Sequence, residues 1–165
     1  MTRRSTWRTA MALAFLALVT ATLTPALAAD DVHFLSDPEA GIRMRHHQRW
    51  GDLGLDTAAA PSHGTGTPLR VSEKTYARGL GHHASGEIVI DLSGRYSRFR
   101  AGVGVQWQGG NKGSVIVRVV VDGRPEFQTG PRSDSDPARQ VDVSLVGARQ
   151  LCLQADDAGD GIGCD

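Results

Sequence analysis

The stretch Val115-Ile116-Val117-Arg118-Val119-Val120-Val121 runs directly into Asp122-Gly123, and this union of a β-branched run with a turn dipeptide restricts the fold more than any other part of the chain. β-Branched side chains lose rotamer freedom in a helix and pack well on a pleated surface. Asp-Gly tolerates the positive φ that a two-residue hairpin turn requires. A strand entering a hairpin is therefore expected here. Strand-length runs rich in Val, Ile and Leu also occur at Glu87–Leu92, Tyr96–Val105, Ser114–Val121, Pro125–Thr129, Gln140–Leu145 and Gln150–Ala155, punctuated by glycine and aspartate. No 3.6-residue apolar pattern is sustained beyond the first 28 residues. The expectation is an all-β chain, a sandwich or jelly roll, because alternating β-α units need helical segments between the strands. The region Ala29–Thr67 is less regular, and Ala58–Gly66 reads as an exposed loop.

The N-terminus has a different character. Arg3, Arg4 and Arg8 precede an apolar run from Ala10 to Val19, and Ala26-Leu27-Ala28 supplies a small-x-small cleavage pattern. An apolar core this short falls well below the roughly twenty residues that span a bilayer. Residues 1–28 are read as a signal peptide of the ordinary secretory route, with the mature chain starting at Ala29 and no membrane span. Arg3-Arg4 raises the twin-arginine route, but Ser5-Thr6-Trp7 does not continue that pattern. Secretion, to the extracellular space or the periplasm, follows. Removal of the leader leaves 137 residues, suited to one domain, with 15 basic residues against 18 acidic. That balance carries no polyanion-binding signal, and the full chain's 16 arginines and two lysines, leader included, form no basic cluster on one strand face. Nucleic acid is not an expected partner.

The run Tyr76-Ala77-Arg78-Gly79-Leu80-Gly81-His82-His83-Ala84, followed by Glu87-Ile88-Val89-Ile90-Asp91-Leu92 and Gly94-Arg95-Tyr96-Ser97-Arg98-Phe99, resembles the NPCBM family of carbohydrate-binding modules. Phe34-Leu35-Ser36-Asp37, Trp50-Gly51 and Leu53-Gly54-Leu55-Asp56 upstream continue the likeness. Val103-Gly104-Val105, Gly113-Ser114-Val115, Asp122-Gly123 and Asp157-Ala158-Gly159-Asp160-Gly161 continue it downstream. The resemblance implies a galactose-binding-like jelly roll over residues 29–165, of the kind that accompanies glycoside hydrolases. Gln106 and Trp107 stand where the family usually carries acidic residues, and Gly86 stands where a serine commonly follows the His-Ala pair. Similar chains continue through a His-Ala-Asp-Trp-type segment into a final strand, so the resemblance also implies that this strand is missing here. A strand left unpaired presents free N–H and C=O groups, and self-association or weak folding is expected from it.

Sugar sites combine an aromatic face, which meets the apolar face of a pyranose, with a few polar groups that orient hydroxyls. Trp50 and Trp107 are the two indoles after the leader. Trp107, between Gln106 and Gln108 and ahead of Gly109-Gly110-Asn111, suits a loop that exposes its ring beside amides. Packing over the sandwich edge is its alternative, and burial in the core is the alternative for Trp50. His83 follows Gly79-Leu80-Gly81, whose small residues let the backbone turn tightly. The family resemblance favours His83 over His82, and a structural hydrogen bond is its other reading. The expected ligand set is His83, Trp107, Trp50 and Asn111, for a galactoside-type glycan.

Other chemistries are poorly supported. His46-His47 and His82-His83 are adjacent pairs whose members point to opposite faces of a strand, and no third ligand stands at zinc spacing. Asp156, Asp157 and Asp160 have the composition of a calcium loop, but a solvated acidic turn is the favoured reading. A structural Ca2+ is compatible with the sequence. Glu39, Glu73, Glu87 and Glu126 offer no evident carboxylate pair for glycoside hydrolysis, and no nucleophile elbow or HExxH motif occurs. The chain is read as non-catalytic. Export permits a Cys152–Cys164 disulfide, while Leu151 and Leu153 around Cys152 equally suit a small buried thiol. The function expected is a secreted sugar-binding module. Its alternative is a truncated or degenerate sandwich acting in protein–protein interaction.

Overall fold

The computed structural model describes residues 31–110, 112–159, 161 and 163. The leader, Asn111, Asp160 and Cys164 lie outside the described residues. Among the described residues the first element is a short 3-10 helix, Pro38–Ala40, capped by Asp37, whose carboxylate accepts the Glu39 N–H at 3.0 Å. Eleven strands follow among the described residues: β1 Arg43–Gln48, β2 Gly54–Leu55, β3 Leu69–Val71, β4 Lys74–Tyr76, β5 Leu80–Gly81, β6 Gly86–Asp91, β7 Arg98–Val103, β8 Ile116–Val121, β9 Arg124–Gln128, β10 Arg139–Ser144 and β11 Gln150–Asp156. All six strands expected from β-branched runs are present. The run expected from Tyr96 begins only at Arg98, because the chain is still turning there: Arg95 N–H donates to the Leu92 carbonyl at 3.0 Å.

The main sheet has the order β1-β6-β11-β8-β9, every pairing antiparallel. Facing it is the antiparallel pair β10-β7, with the short pairs β2-β5 and β3-β4 completing the structure. Period-two alternation turns Ile88, Ile90, Val119, Val121 and Leu151 of the main sheet toward Val141 and Val143 of β10, and these form one buried cluster with Leu53, Leu92 and Leu145. Ile90 and Val119 are fully buried. Each such side chain contributes about 1.5–3 kcal/mol by leaving water, an upper estimate against a compact unfolded chain. This is the all-β jelly-roll sandwich that the sequence implied.

The hairpin at Asp122-Gly123 forms as expected, with φ of 47° and 78° at its two central residues. Asp122 also accepts N–H groups of Arg149 and Gln150, at 3.0 and 2.9 Å, which ties the turn to the start of β11. One expectation is corrected. Ala58 and Ala60 of the anticipated exposed loop are buried, since Asp52 N–H donates to the Ala60 carbonyl and Ala58 N–H to the Thr67 carbonyl. No helix among the described residues is long and apolar enough to cross a membrane.

Candidate functional site

Gln48 at the end of β1 lies opposite Gly86 at the start of β6, so the segments just beyond these two strands meet at one end of the sandwich. Trp50 follows β1, and His83 stands between β5 and β6. Their ring centroids are 5.2 Å apart with planes inclined at 50°. Gln48 joins the two segments: its Nε2 donates to the Trp50 carbonyl at 2.9 Å, and its Oε1 accepts His83 N–H at 3.4 Å. His83 Nδ1 lies 2.6 Å from the Ala84 carbonyl. A carbonyl only accepts, so Nδ1 carries the proton and Nε2 of the neutral ring is left as an acceptor. Trp50 is 45% exposed while His83 is buried to 8%, an open apolar face beside a fixed polar ring.

Gly86 shows why this segment is spelled as it is. A Cβ there would stand 2.2 Å from the His47 carbonyl oxygen and 2.8 Å from Gln48 Cα, so any side chain larger than glycine's hydrogen has no room in this packing. His82 turns away from its neighbour and sits 3.0 Å from the His47 carbonyl. Burial keeps its imidazole below the ordinary histidine range, against the opposing pull of that bond.

Trp107 belongs to a second loop, tied to β3 rather than to His83. Its N–H donates to the Arg70 carbonyl at 2.8 Å, and the Arg70 guanidinium lies 5.0 Å over its ring. Gln106 holds the same strand, accepting Arg70 N–H at 3.0 Å and donating to the Pro68 carbonyl at 3.2 Å. The fully buried Asp134 accepts the N–H groups of Gln108, Gly110 and Lys112 at 2.9, 3.0 and 2.9 Å. Burial opposes ionisation of Asp134, and these three N–H groups outweigh it, holding the carboxyl below its ordinary range. Among the expected ligand residues, Trp50 and His83 are thus in contact, Trp107 is half-buried under Arg70, and Asn111 lies outside the described residues. Gln48 and Asp134 were not anticipated: an amide closing a polar strand and an aspartate within Ser133-Asp134-Ser135-Asp136 carry no local mark of their roles.

The described part of the acidic loop uses its carboxylates within the chain. Asp156 pairs with Arg118 at 3.2 Å and accepts Ala158 N–H, and Asp157 accepts Gly159 N–H. Among the described residues no group of three His, Cys, Asp or Glu side chains is placed to hold a metal ion. Cys152 is a free, buried thiol.

The fold is a β-sandwich with an exposed indole beside a hydrogen-bonded histidine at one end. Comparison specifies the class. Residues 31–165 match the NPCBM/NEW2 domain, and the chain belongs to that family. It is 27% identical over 132 residues to a protein of Renibacterium salmoninarum named as an endo-alpha-N-acetylgalactosaminidase, which covers 79% of this chain and only 8% of that relative. The CBM51 module of a Clostridium perfringens GH95 protein, solved with methyl-galactose, superposes with a TM-score of 0.67 at 26% identity, over 73% of this chain and 86% of the other. The CBM51-2 and INT domains of Clostridium perfringens ZmpB, solved with GlcNAc, superpose at 0.66 and 26% identity, over 73% and 27%. The family and these neighbours are carbohydrate-binding modules, which bind sugar without cleaving it, and the chain is a non-catalytic module of this kind.

Proposed function

We propose that the chain is a secreted module that docks galactose-containing glycans, of the sort that accompanies a glycoside hydrolase, and that Trp50 and His83 carry the binding. The observation that carries this reading is the contact between an indole open to solvent and an imidazole whose tautomer is fixed. The apolar C–H face of a pyranose would stack on Trp50, and a hydroxyl would donate to His83 Nε2. Galactose is supported by the methyl-galactose complex of the GH95 module, and export by the basic start, apolar core and small-residue site of residues 1–28. Trp107 has one face already covered by Arg70, so the first contact is assigned to Trp50.

Calorimetric titration of the secreted chain with methyl-galactoside, beside glucose and GlcNAc, tests this. The reading expects saturable binding to the galactoside that Trp50→Ala abolishes and Trp107→Phe largely keeps. A folded chain that binds none of the three sugars would overturn it in favour of a protein-interaction role.

A further inference from the structure

The outer face of the five-stranded sheet carries a row of polar residues that the Trp50 and His83 pair does not use. The strand pairings set His47 opposite Glu87, Glu87 opposite Gln154, Gln154 opposite Arg118 and Arg118 opposite Gln128. The five residues form one line across β1, β6, β11, β8 and β9. One step along β6, β11, β8 and β9, Ile88, Leu153, Val119 and Phe127 pack on the core, so alternation turns the row outward. At about 4.8 Å between strands, the line is roughly 19 Å long.

The row is already ordered. Glu87 Oε2 accepts from Cys152 Sγ at 3.4 Å and from Gln154 Nε2 at 3.5 Å, while Arg118 donates to Gln128 at 3.0 Å and to Asp156 at 3.2 Å. Glu87 keeps one carboxylate oxygen and Arg118 part of its guanidinium beyond these bonds. His47, Glu87, Gln154 and Arg118 line a groove of about 480 Å³ together with Arg49 and Ser85, a volume within the usual range of ligand sites. Arg49 is the neighbour of Trp50, and Ser85 stands two residues from His83, so the two backbone segments that carry the aromatic pair also border the groove. Two arginines, Arg49 and Arg118, and two carboxylates, Glu87 and Asp156, line it together, with Arg118 paired to Asp156 at 3.2 Å. A charged ligand would meet an opposing charge of its own sign there, whereas each hydroxyl of a neutral sugar both donates and accepts and matches the mixed lining.

We propose that this groove is an extension subsite, which takes further neutral sugar residues of a glycan whose end is held at Trp50 and His83, so that the module reads an oligosaccharide lying across its strands. The inference rests on the sugar-binding reading above. Calorimetry on the secreted chain compares methyl-galactoside, the neutral tetrasaccharide lacto-N-neotetraose and its sialylated form. Expected is an affinity for the neutral tetrasaccharide at least about tenfold above the monosaccharide, and weaker binding of the sialylated form. Glu87→Gln and Gln154→Ala each bring the tetrasaccharide down toward the monosaccharide value and leave methyl-galactoside binding in place, with thermal unfolding midpoints reporting that both variants fold. Equal affinity for the two lengths, or loss of monosaccharide and tetrasaccharide binding in the same proportion, overturns the extension subsite. Binding of the monosaccharide that depends on Trp50 would then still stand, whereas absence of all sugar binding overturns both readings together.

Discussion

The Trp50 indole and the His83 imidazole lie 5.2 Å apart at 50°, and Gln48 bonds to the backbone of both residues. An amide that holds two loops by opposite ends of its side chain makes their spacing a property of β1. Gln48→Ala should therefore weaken galactoside binding about tenfold without touching the sugar, by letting the two rings drift. Gln48→Glu keeps the acceptor for His83 N–H and loses the donor to the Trp50 carbonyl, and should fall between. Titration of both variants against methyl-galactoside, alongside their unfolding curves, checks this.

Asp134 should be the most costly single carboxylate to remove. It is fully buried and holds the backbone N–H groups of Gln108, Gly110 and Lys112. Truncation to alanine leaves those donors without a partner, and the expected loss is about 3 kcal/mol. Denaturant unfolding measures it, and Trp107 emission should shift toward that of solvent-exposed indole as the loop loosens.

The turn at Asp122 joins two effects at one residue. Its φ of 47° disfavours most side chains, and its carboxylate holds the first N–H groups of β11. Asp122→Ala should cost about 2 kcal/mol and Asp122→Asn noticeably less, because asparagine tolerates the left-handed region and keeps an acceptor. Equilibrium unfolding of the two variants would show the order.

Acid should destabilise the fold through His82. Burial holds its imidazole below the ordinary value of 6.5, so as pH falls past that value the unfolded chain takes up a proton that the native state refuses. The unfolded state then binds more protons, and stability declines with acidification. The loss should begin near pH 6.5 and continue toward the lower native value, and His82→Gln should flatten that part of the profile. Stability measured from pH 8 to pH 5 tests the sign.

The strands that the sequence announced are those with β-branched runs, such as Ile116–Val121 and Gly86–Asp91, where burial on one face imposes period-two alternation. β1 was not legible: Arg43-Met44-Arg45-His46-His47-Gln48 is an edge strand with little buried surface, and pairing to β6 rather than side-chain burial makes it a strand. The same distinction governs the site. Trp50 and His83 could be named because aromatic and imidazole groups bear chemistry wherever they fall. That Trp50 and not Trp107 meets His83 depends on Gln48 lying opposite Gly86, a register that no local pattern encodes. Ala58 and Ala60 misled for a related reason, since small residues before Pro61 suit an exposed loop as well as a tight inward crossing.

Cys152 gives a chemical reading of the polar row from beneath. Its thiol is buried on the outer face of β11 and donates to Glu87 at 3.4 Å, and burial first, then the Glu87 bond and charge, push its pKa up to about 11. Only the thiolate is nucleophilic. Against an ordinary value of 9.0, a rise of this size makes the native thiolate about a hundredfold scarcer at pH 8, so iodoacetamide should label Cys152 about a hundredfold more slowly in the native chain than in denaturant. Peptide mapping assigns the label to this position rather than to Cys164. Glu87→Gln removes the negative charge and should speed native labelling, because the thiolate no longer forms beside a carboxylate. Unchanged labelling in that variant would mean that Glu87 does not face the thiol, and would break the ordering of the row at its second strand.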